Sequence, residues 1–213
     1  MHSEDLGKLA YLQAWDLQEQ LRDKRSKNEI CDRLLLLEHN PVYTIGKRNA
    51  DNDFLSSLEE IAKDGISIIK TNRGGKITYH GPGQVIGYFI FSLDSVFMNV
   101  KEFVYSVEEV CKRTLKDFGI KTERSGEYPG IWIGQNKIAA VGLHFSKGIS
   151  QHGFALNVKP DLNHYRHIVP CGIHDRGVTS MAQILGEKTP DIPQVKAALT
   201  KHCQEVFYSS AGS

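Results

Sequence analysis

Cysteine is scarce and scattered: four residues, at 31, 111, 171 and 203, form no CxxC pair. That spacing argues against a disulfide scaffold and fits reduced intracellular thiols. No apolar run approaches the length of a membrane span. Neither sign of charge dominates; the net charge of +1 removes any whole-chain electrostatic argument for nucleic acid. Attraction to an acidic partner must therefore be local. Internal repeats, low-complexity tracts and linker-like shifts in composition are missing too. The opening MHSEDLGKLAY has neither an apolar signal core nor an Arg-rich amphipathic presequence. A cytoplasmic protein without membrane or nucleic-acid partners is expected. What is present, 213 residues with 40% apolar content, suffices for a substantial core. One domain spanning residues 1–213 is the expectation.

The periodicities alternate between helix and strand. Leu6, Ala10, Ala14, Leu17 and Leu21 fall on one helical face, followed by a charged run at 22–27. Residues 34–37 read as a buried strand, and Asn40-Pro41 as a turn. Residues 54–64 read as a helix closed by Gly65, and residues 66–70 as a strand. Phe103, Val107, Val110, Leu115 and Phe118 mark a helix stopped by Gly119, with Cys111 on its apolar face. Residues 131–133 and 137–145 form a hairpin across Gly134, Gln135 and Asn136. Residues 153–158 are another strand, and 159–178 have the aperiodic look of a loop. Thr179 and Ser180 cap a short helix from Met181, and a final helix from about Ile192 buries Val195, Leu199, Cys203 and Val206. Adjacent strands without intervening helices predict an α/β (α+β) domain with a mixed, largely antiparallel sheet flanked by helices.

The chain is organised around RGGKITYHGPGQVIGYFIF, residues 73–91. Its glycines let a ligand approach the backbone, and its apolar end reads as a strand buried on both faces. A tight hairpin without ligand explains the glycines alone. The polar groups Arg73, Lys76, Thr78, Tyr79, His80 and Gln84 point instead to a binding wall. Gly142 and Gly153 sit mid-strand, where glycine marks either a bulge or a close approach, such as that of a flat apolar ligand.

Cys171 differs from the other cysteines. It lies in Pro170-Cys171-Gly172, inside the long loop and on no apolar face. An incidental loop thiol and a nucleophile are equally compatible with that setting. A nucleophilic thiol needs a cation or base beside it. Lys137 shares a strand face with Ala139, Val141 and Leu143 and so points inward, unless it snorkels from the strand end. His80, His144 and His152 are competing bases. The set His164, His167, Cys171 and His174 has spacings that suit zinc, although all four lie within one loop.

In order along the chain, RGGKITYHGPGQ, NKIAAVG, HGFALNV, PCG and GVTSM closely resemble the lipoyl(octanoyl) transferase family. The resemblance covers roughly residues 34–185. It implies the biotin/lipoate protein ligase catalytic-domain fold. Related lipoate–protein ligases carry a different motif where this chain has HGPGQ, and they lack the Pro-Cys-Gly cysteine. The resemblance implies that Cys171 carries an acyl thioester with Lys137 as its partner. It implies substrate-binding stretches at Arg73, Gly74, Gly75, Lys76, Ile77, Thr78, Tyr79 and His80, at Ala140, Val141 and Gly142, and at Gly153, Phe154 and Ala155. Lys76 departs from the glutamine or aspartate common among relatives.

The implied reaction moves an octanoyl group from octanoyl-acyl carrier protein to a lysine of lipoyl domains. Those domains belong to 2-oxoacid dehydrogenase complexes and to the glycine cleavage H protein. The implied enzyme is a monomer that uses no metal or nucleotide cofactor. Amides near Gly74-Gly75 or Gly172 are expected to hold the oxyanion. Lys47, Arg48, Arg73, Lys76, Arg166 and Arg176 are expected to steer acidic protein substrates. Two other readings remain: an ATP-dependent lipoate or biotin protein ligase, and a non-catalytic acyl- or zinc-binding module.

Overall fold

A computed structural model describes residues 1–48, 53–126, 128–172 and 176–208, with Cys171 described through its backbone only. The strands are β1 (His2–Lys8), β2 (Arg33–Glu38), β3 (Val42–Ile45), β4 (Ser67–Lys70), β5 (Ile77–His80), β6 (Gln84–Ile90), β7 (Glu123–Arg124), β8 (Gly130–Ile133), β9 (Asn136–Ser146), β10 (Ile149–Asn157) and β11 (Gly177–Val178). The helices are α1 (Tyr11–Ser26), α2 (Leu58–Lys63), α3 (Val100–Asp117), α4 (Met181–Leu185) and α5 (Ile192–Tyr208). None is long and apolar enough to cross a membrane.

The larger sheet runs β1-β2-β6-β10-β9-β8-β7, with β11 added beside β9. Only β1–β2 and β9–β11 pair in parallel, so the sheet is mixed and largely antiparallel. Its central strands are buried on both faces because each face has its own helical cover. Leu34, Leu36, Val85, Phe89, Phe154 and Leu156 pack with Phe103, Val107, Val195 and Leu199 of α3 and α5. The alternate residues Leu35, Leu37, Ile86, Tyr88 and Ala155 pack with Ala14 and Leu17 of α1. Period-two alternation thus feeds two cores from the same strands.

A second sheet, β4-β3-β5, stands apart from the first. Tyr43, Ile77 and Tyr79 point from it into a separate core with Ile61, Tyr165 and Ile168. Its other face presents Thr44, Thr78 and His80. That alternation decides which residues of the 73–80 motif can reach a ligand.

Four sequence expectations change. Residues 2–8 are a strand rather than the start of the first helix. Gly7 adopts φ +62, a left-handed conformation that breaks a helix, and β1 pairs with β2 instead. The helix expected over 54–64 begins only at Leu58. There Ser57 accepts from Glu60 N and the Glu60 carboxylate accepts from Ser57 N, a reciprocal cap. Phe54 instead bridges Ile168. Residues 42–45, read only as following a turn, are β3. Within 159–178, short 3-10 turns at Leu162–His167 and Pro170–Gly172 precede β11.

Candidate active site

The glycine-rich loop between β4 and β5 folds down onto β9. Arg73, which is buried, holds its shape. The guanidinium donates to Thr44 O (2.6 Å), Lys76 O (2.7 Å), Gly74 O (2.8 Å) and Thr44 Oγ1 (2.9 Å). Only the planar fork of arginine serves carbonyls on several sides at once. The amides of Gly46, Lys47 and Arg48 in turn bond the carbonyls of Lys76, Arg73 and Gly75. Gly74 N–H donates to Leu143 O at 3.0 Å, which docks the loop on β9.

Between loop and sheet lies a narrow cavity of about 50 Å³. It gathers Arg73, Gly74, Gly75, Thr78, His80, Ala140, Val141, Gly142, Gly153, Phe154 and Ala155 from the expected stretches. Lys76, Ile77 and Tyr79 do not line it. Ile77 and Tyr79 face the opposite core by strand alternation. Tyr11, Tyr88 and His152 line it as well. Of these only His152 had been singled out in the sequence; Tyr11 and Tyr88 sit at a helix start and in a core strand, where nothing local marks them. A wider groove of about 880 Å³, between the start of α3 and the end of α5, contains none of the expected site residues.

The glycine gaps have a different use from the one expected. A Cβ on Gly142 would lie 3.1 Å from Gly74 O, and one on Gly153 would lie 2.2 Å from Gly87 O. The space at these positions is filled by neighbouring backbone. The glycines bring the loop and the strands together, and the cavity opens beside them.

The buried histidines near the cavity are held in their neutral form rather than poised as bases. His39 Nδ1 faces Leu9 O at 2.7 Å, so it carries the proton and leaves Nε2 to accept from Tyr88 OH at 2.7 Å. Burial holds His39 down to about 4 and His152 down to about 3; the Arg73 charge adds to the effect on His152. Burial also pushes His80 well below its ordinary value. His144, only half-buried and beside Lys47, is lowered too, first by burial. These shifts leave the buried His80 and His152 poorly suited to take a proton near neutrality.

Lys137 is buried, which excludes snorkelling from the strand end. Its ammonium donates to Pro129 O at 3.2 Å and lies 4.7 Å from the centre of the Trp132 ring. The loop that bears Cys171 returns to this lysine. Gly177 pairs with Asn136, Val178 with Lys137, and Thr179 N–H donates to Lys137 O at 3.0 Å. Arg176 stacks on the same Trp132 ring.

Lys76 belongs to this turn rather than to the cavity. Its side chain crosses Gly172, where a Cβ would lie 2.6 Å from Nζ, and pairs with the buried Asp53 at 3.2 Å. Asp53 O accepts from Val169 N–H at 2.7 Å, tying the approach to Cys171 in place.

Other expectations are corrected. Of the amides expected to hold the oxyanion near Gly74-Gly75 or Gly172, those of Gly74 and Gly172 donate to Leu143 O and Val169 O. Arg73 is buried, and Arg166 is paired with Asp64, which leaves the exposed Lys47 and Arg48 as the better-placed steering charges. His164 bonds Tyr79 OH and His167 bonds Asp64. Among the described residues no three potential metal ligands converge; His174 lies outside the described residues.

The family described as the lipoyl protein ligase A/B catalytic domain matches residues 10–204. An octanoyltransferase of Alkaliphilus metalliredigens is 46% identical over 183 residues, 85% of this chain and 84% of its own. One from Caldicellulosiruptor saccharolyticus is 44% identical over 95% of this chain and 86% of its own. Among solved structures, the bipartite lipoate protein ligase of Thermoplasma acidophilum, studied with its lipoyl domain, superposes with a TM-score of 0.70. It is 19% identical, over 96% of this chain and 84% of its own. The biotin protein ligase of Aquifex aeolicus with biotin and ATP gives 0.56 at 16% identity, over 97% and 72%. At such identities these two structures speak for the fold alone.

Proposed function

The chain belongs to the lipoyl protein ligase A/B catalytic-domain family and is an acyltransferase, and on that premise we propose that it carries octanoyl from acyl carrier protein to lipoyl domains through Cys171. The Cys171 thiolate attacks the thioester carbonyl carbon. A bond forms from that carbon to the Cys171 sulfur, and the bond to the phosphopantetheine sulfur breaks. The departing thiolate takes a proton from the Lys137 ammonium. An uncharged lysine amine of the lipoyl domain then attacks the Cys171 thioester. The new C–N bond replaces the C–S bond, and neutral Lys137 accepts the surplus proton. The ammonium–thiolate pair is thereby restored. A thioester donor makes amide formation downhill.

The observation that carries this reading is a buried lysine at the start of β9, to which the cysteine-bearing loop is hydrogen-bonded through β11. The cavity between loop and sheet supplies an apolar slot for the chain, lined by Ala140, Val141, Phe154 and Ala155. The transfer is proposed to be carried out by a monomer in the cytoplasm. Lipoyl domains of 2-oxoacid dehydrogenases and of the glycine cleavage H protein are the assigned acceptors. The match to octanoyltransferases at over 40% identity favours this reading over an ATP-dependent ligase.

Mixing the protein with octanoyl-acyl carrier protein is expected to add one octanoyl group to the intact mass. Cys171→Ala should abolish both the adduct and the transfer while far-UV circular dichroism stays unchanged. Transfer at the normal rate by that variant would refute the covalent route. Lys137→Ala should slow alkylation of Cys171 by iodoacetamide at neutral pH; an unchanged rate removes the lysine from the scheme.

A further inference from the structure

We propose that Glu108 is a positioning residue for Lys137, acting through the single peptide group between Pro129 and Gly130. This rests on the role given to Lys137 above. Glu108 projects from α3 and is buried, an uncommon place for a carboxylate. A carboxylate taken from water must be hydrogen-bonded or paired. One oxygen, Oε1, accepts from Gly130 N–H at 2.7 Å. The other, Oε2, faces Arg124 Nε at 3.3 Å. Arg124 is also engaged by Glu109 at 2.5 Å and stacks on Tyr105 at 3.8 Å.

The amide that Glu108 grips shares its peptide bond with Pro129 O, the carbonyl that accepts from Lys137 Nζ. The peptide is rigid and planar, with N–H and C=O pointing in opposite directions. A carboxylate therefore sits at the positive end of one dipole and an ammonium at its negative end. Each contact polarises the group in the sense that strengthens the other. Gly130 completes the device. It adopts φ +129, and a Cβ there would lie 3.4 Å from Lys137 Cδ and Cε and 2.5 Å from Ala139 O. The lysine stem thus passes across the Cα of the residue whose amide Glu108 holds. Moving that peptide plane moves the ammonium.

A purely structural Glu108 would pair with Arg124 to join α3 to β7, and its loss would act on stability alone. The two roles separate in a double-mutant cycle with Lys137. The assay is steady-state transfer from octanoyl-acyl carrier protein to a lipoyl domain, with thermal melts in parallel. Glu108→Ala is expected to lower kcat about tenfold with KM for the donor unchanged, the scale of losing one charge-assisted hydrogen bond. Glu108→Gln keeps the size and an acceptor oxygen, so it should fold normally and recover part of that loss. In a Lys137→Ala background, Glu108→Ala should cost nothing further.

An equal loss from Glu108→Ala with and without Lys137 would overturn the proposal and leave the reaction scheme standing. So would wild-type kcat in both Glu108 variants. Wild-type transfer by Lys137→Ala alone would instead sink the reaction scheme, and this inference with it.

Discussion

Mild acid should unfold this protein, and the cause is the set of histidines buried beside the cavity. His39 is held to about 4, His152 to about 3, and His80 well below its ordinary value, each chiefly by burial. At pH 7 all three are largely neutral in the unfolded chain as well as the folded one, so they contribute little to the pH dependence there. Below about 6.5 the unfolded chain takes up protons that the folded chain refuses. Stability therefore falls with pH by about 1.4 kcal/mol per unit for each histidine. At pH 4.5 the loss is roughly 2.7 kcal/mol for each of His39 and His152, or about 5 kcal/mol together, against a typical total of 5–15, and His80 acts in the same direction. The carboxylates whose values are lowered by their partners, such as Asp5, Asp32 and Asp64, give up their stabilisation only at lower pH. In the window between 6.5 and 4.5 the histidines therefore set the fall in stability, opposed by Glu108, whose carboxyl is pushed up by burial. Urea unfolding followed by circular dichroism from pH 7 to pH 4.5 measures the slope. His152→Asn should lower the slope by about 1.4 kcal/mol per pH unit. Asparagine tolerates the left-handed φ of 58 found at that position. A midpoint that stays constant between pH 7 and pH 5 would refute the argument.

Gly153→Ala should destabilise by about 1–3 kcal/mol or more in thermal melts, because its Cβ would lie 2.2 Å from Gly87 O and 2.8 Å from Phe89 Cδ2. Gly142→Ala meets Gly74 O at a looser 3.1 Å, so it should push the loop outward and raise KM for the acyl donor with a smaller fall in melting temperature. Arg73→Lys cannot reproduce the fork that serves Thr44, Gly74 and Lys76. It should cost about 1–3 kcal/mol for each buried carbonyl left unpaired. A lysine variant that melts and turns over like the parent would show that the guanidinium does not hold the loop.

The parts of this molecule that could be read from sequence are those where local chemistry and tertiary packing agree. β6 was legible because an unbroken apolar run has to be covered on both sides, and α1 and the α3–α5 layer do cover it. The β8–β9 hairpin was legible from its turn residues. Leu6 misled because it falls in helical phase with Ala10, Ala14 and Leu17, and only the break at Gly7 separates it from them. The capping pair Ser57 and Glu60 carries a local signal for the start of α2. At the site, a motif contiguous in sequence is not a contiguous wall. Strand alternation sends Ile77 and Tyr79 away from the cavity and leaves Thr78 and His80 on it. Tyr11 and Tyr88 reach the cavity only because α1 packs on β6. Glu108 carried no sign at all, since a glutamate on a helix is ordinarily solvated.

At about 50 Å³, the hollow between Gly74 and Val141 has room for a few solvent molecules, far short of the 300 Å³ or more of an ordinary ligand pocket. On the proposed reading, an eight-carbon tail entering here wedges its walls apart. β9 and β10 are fixed in the sheet, so the yielding wall is the crossover held by one arginine. Each added methylene then gains burial but lifts that crossover further. Selection among tails of different length becomes a contest between those two slopes, with Arg73 acting as the spring.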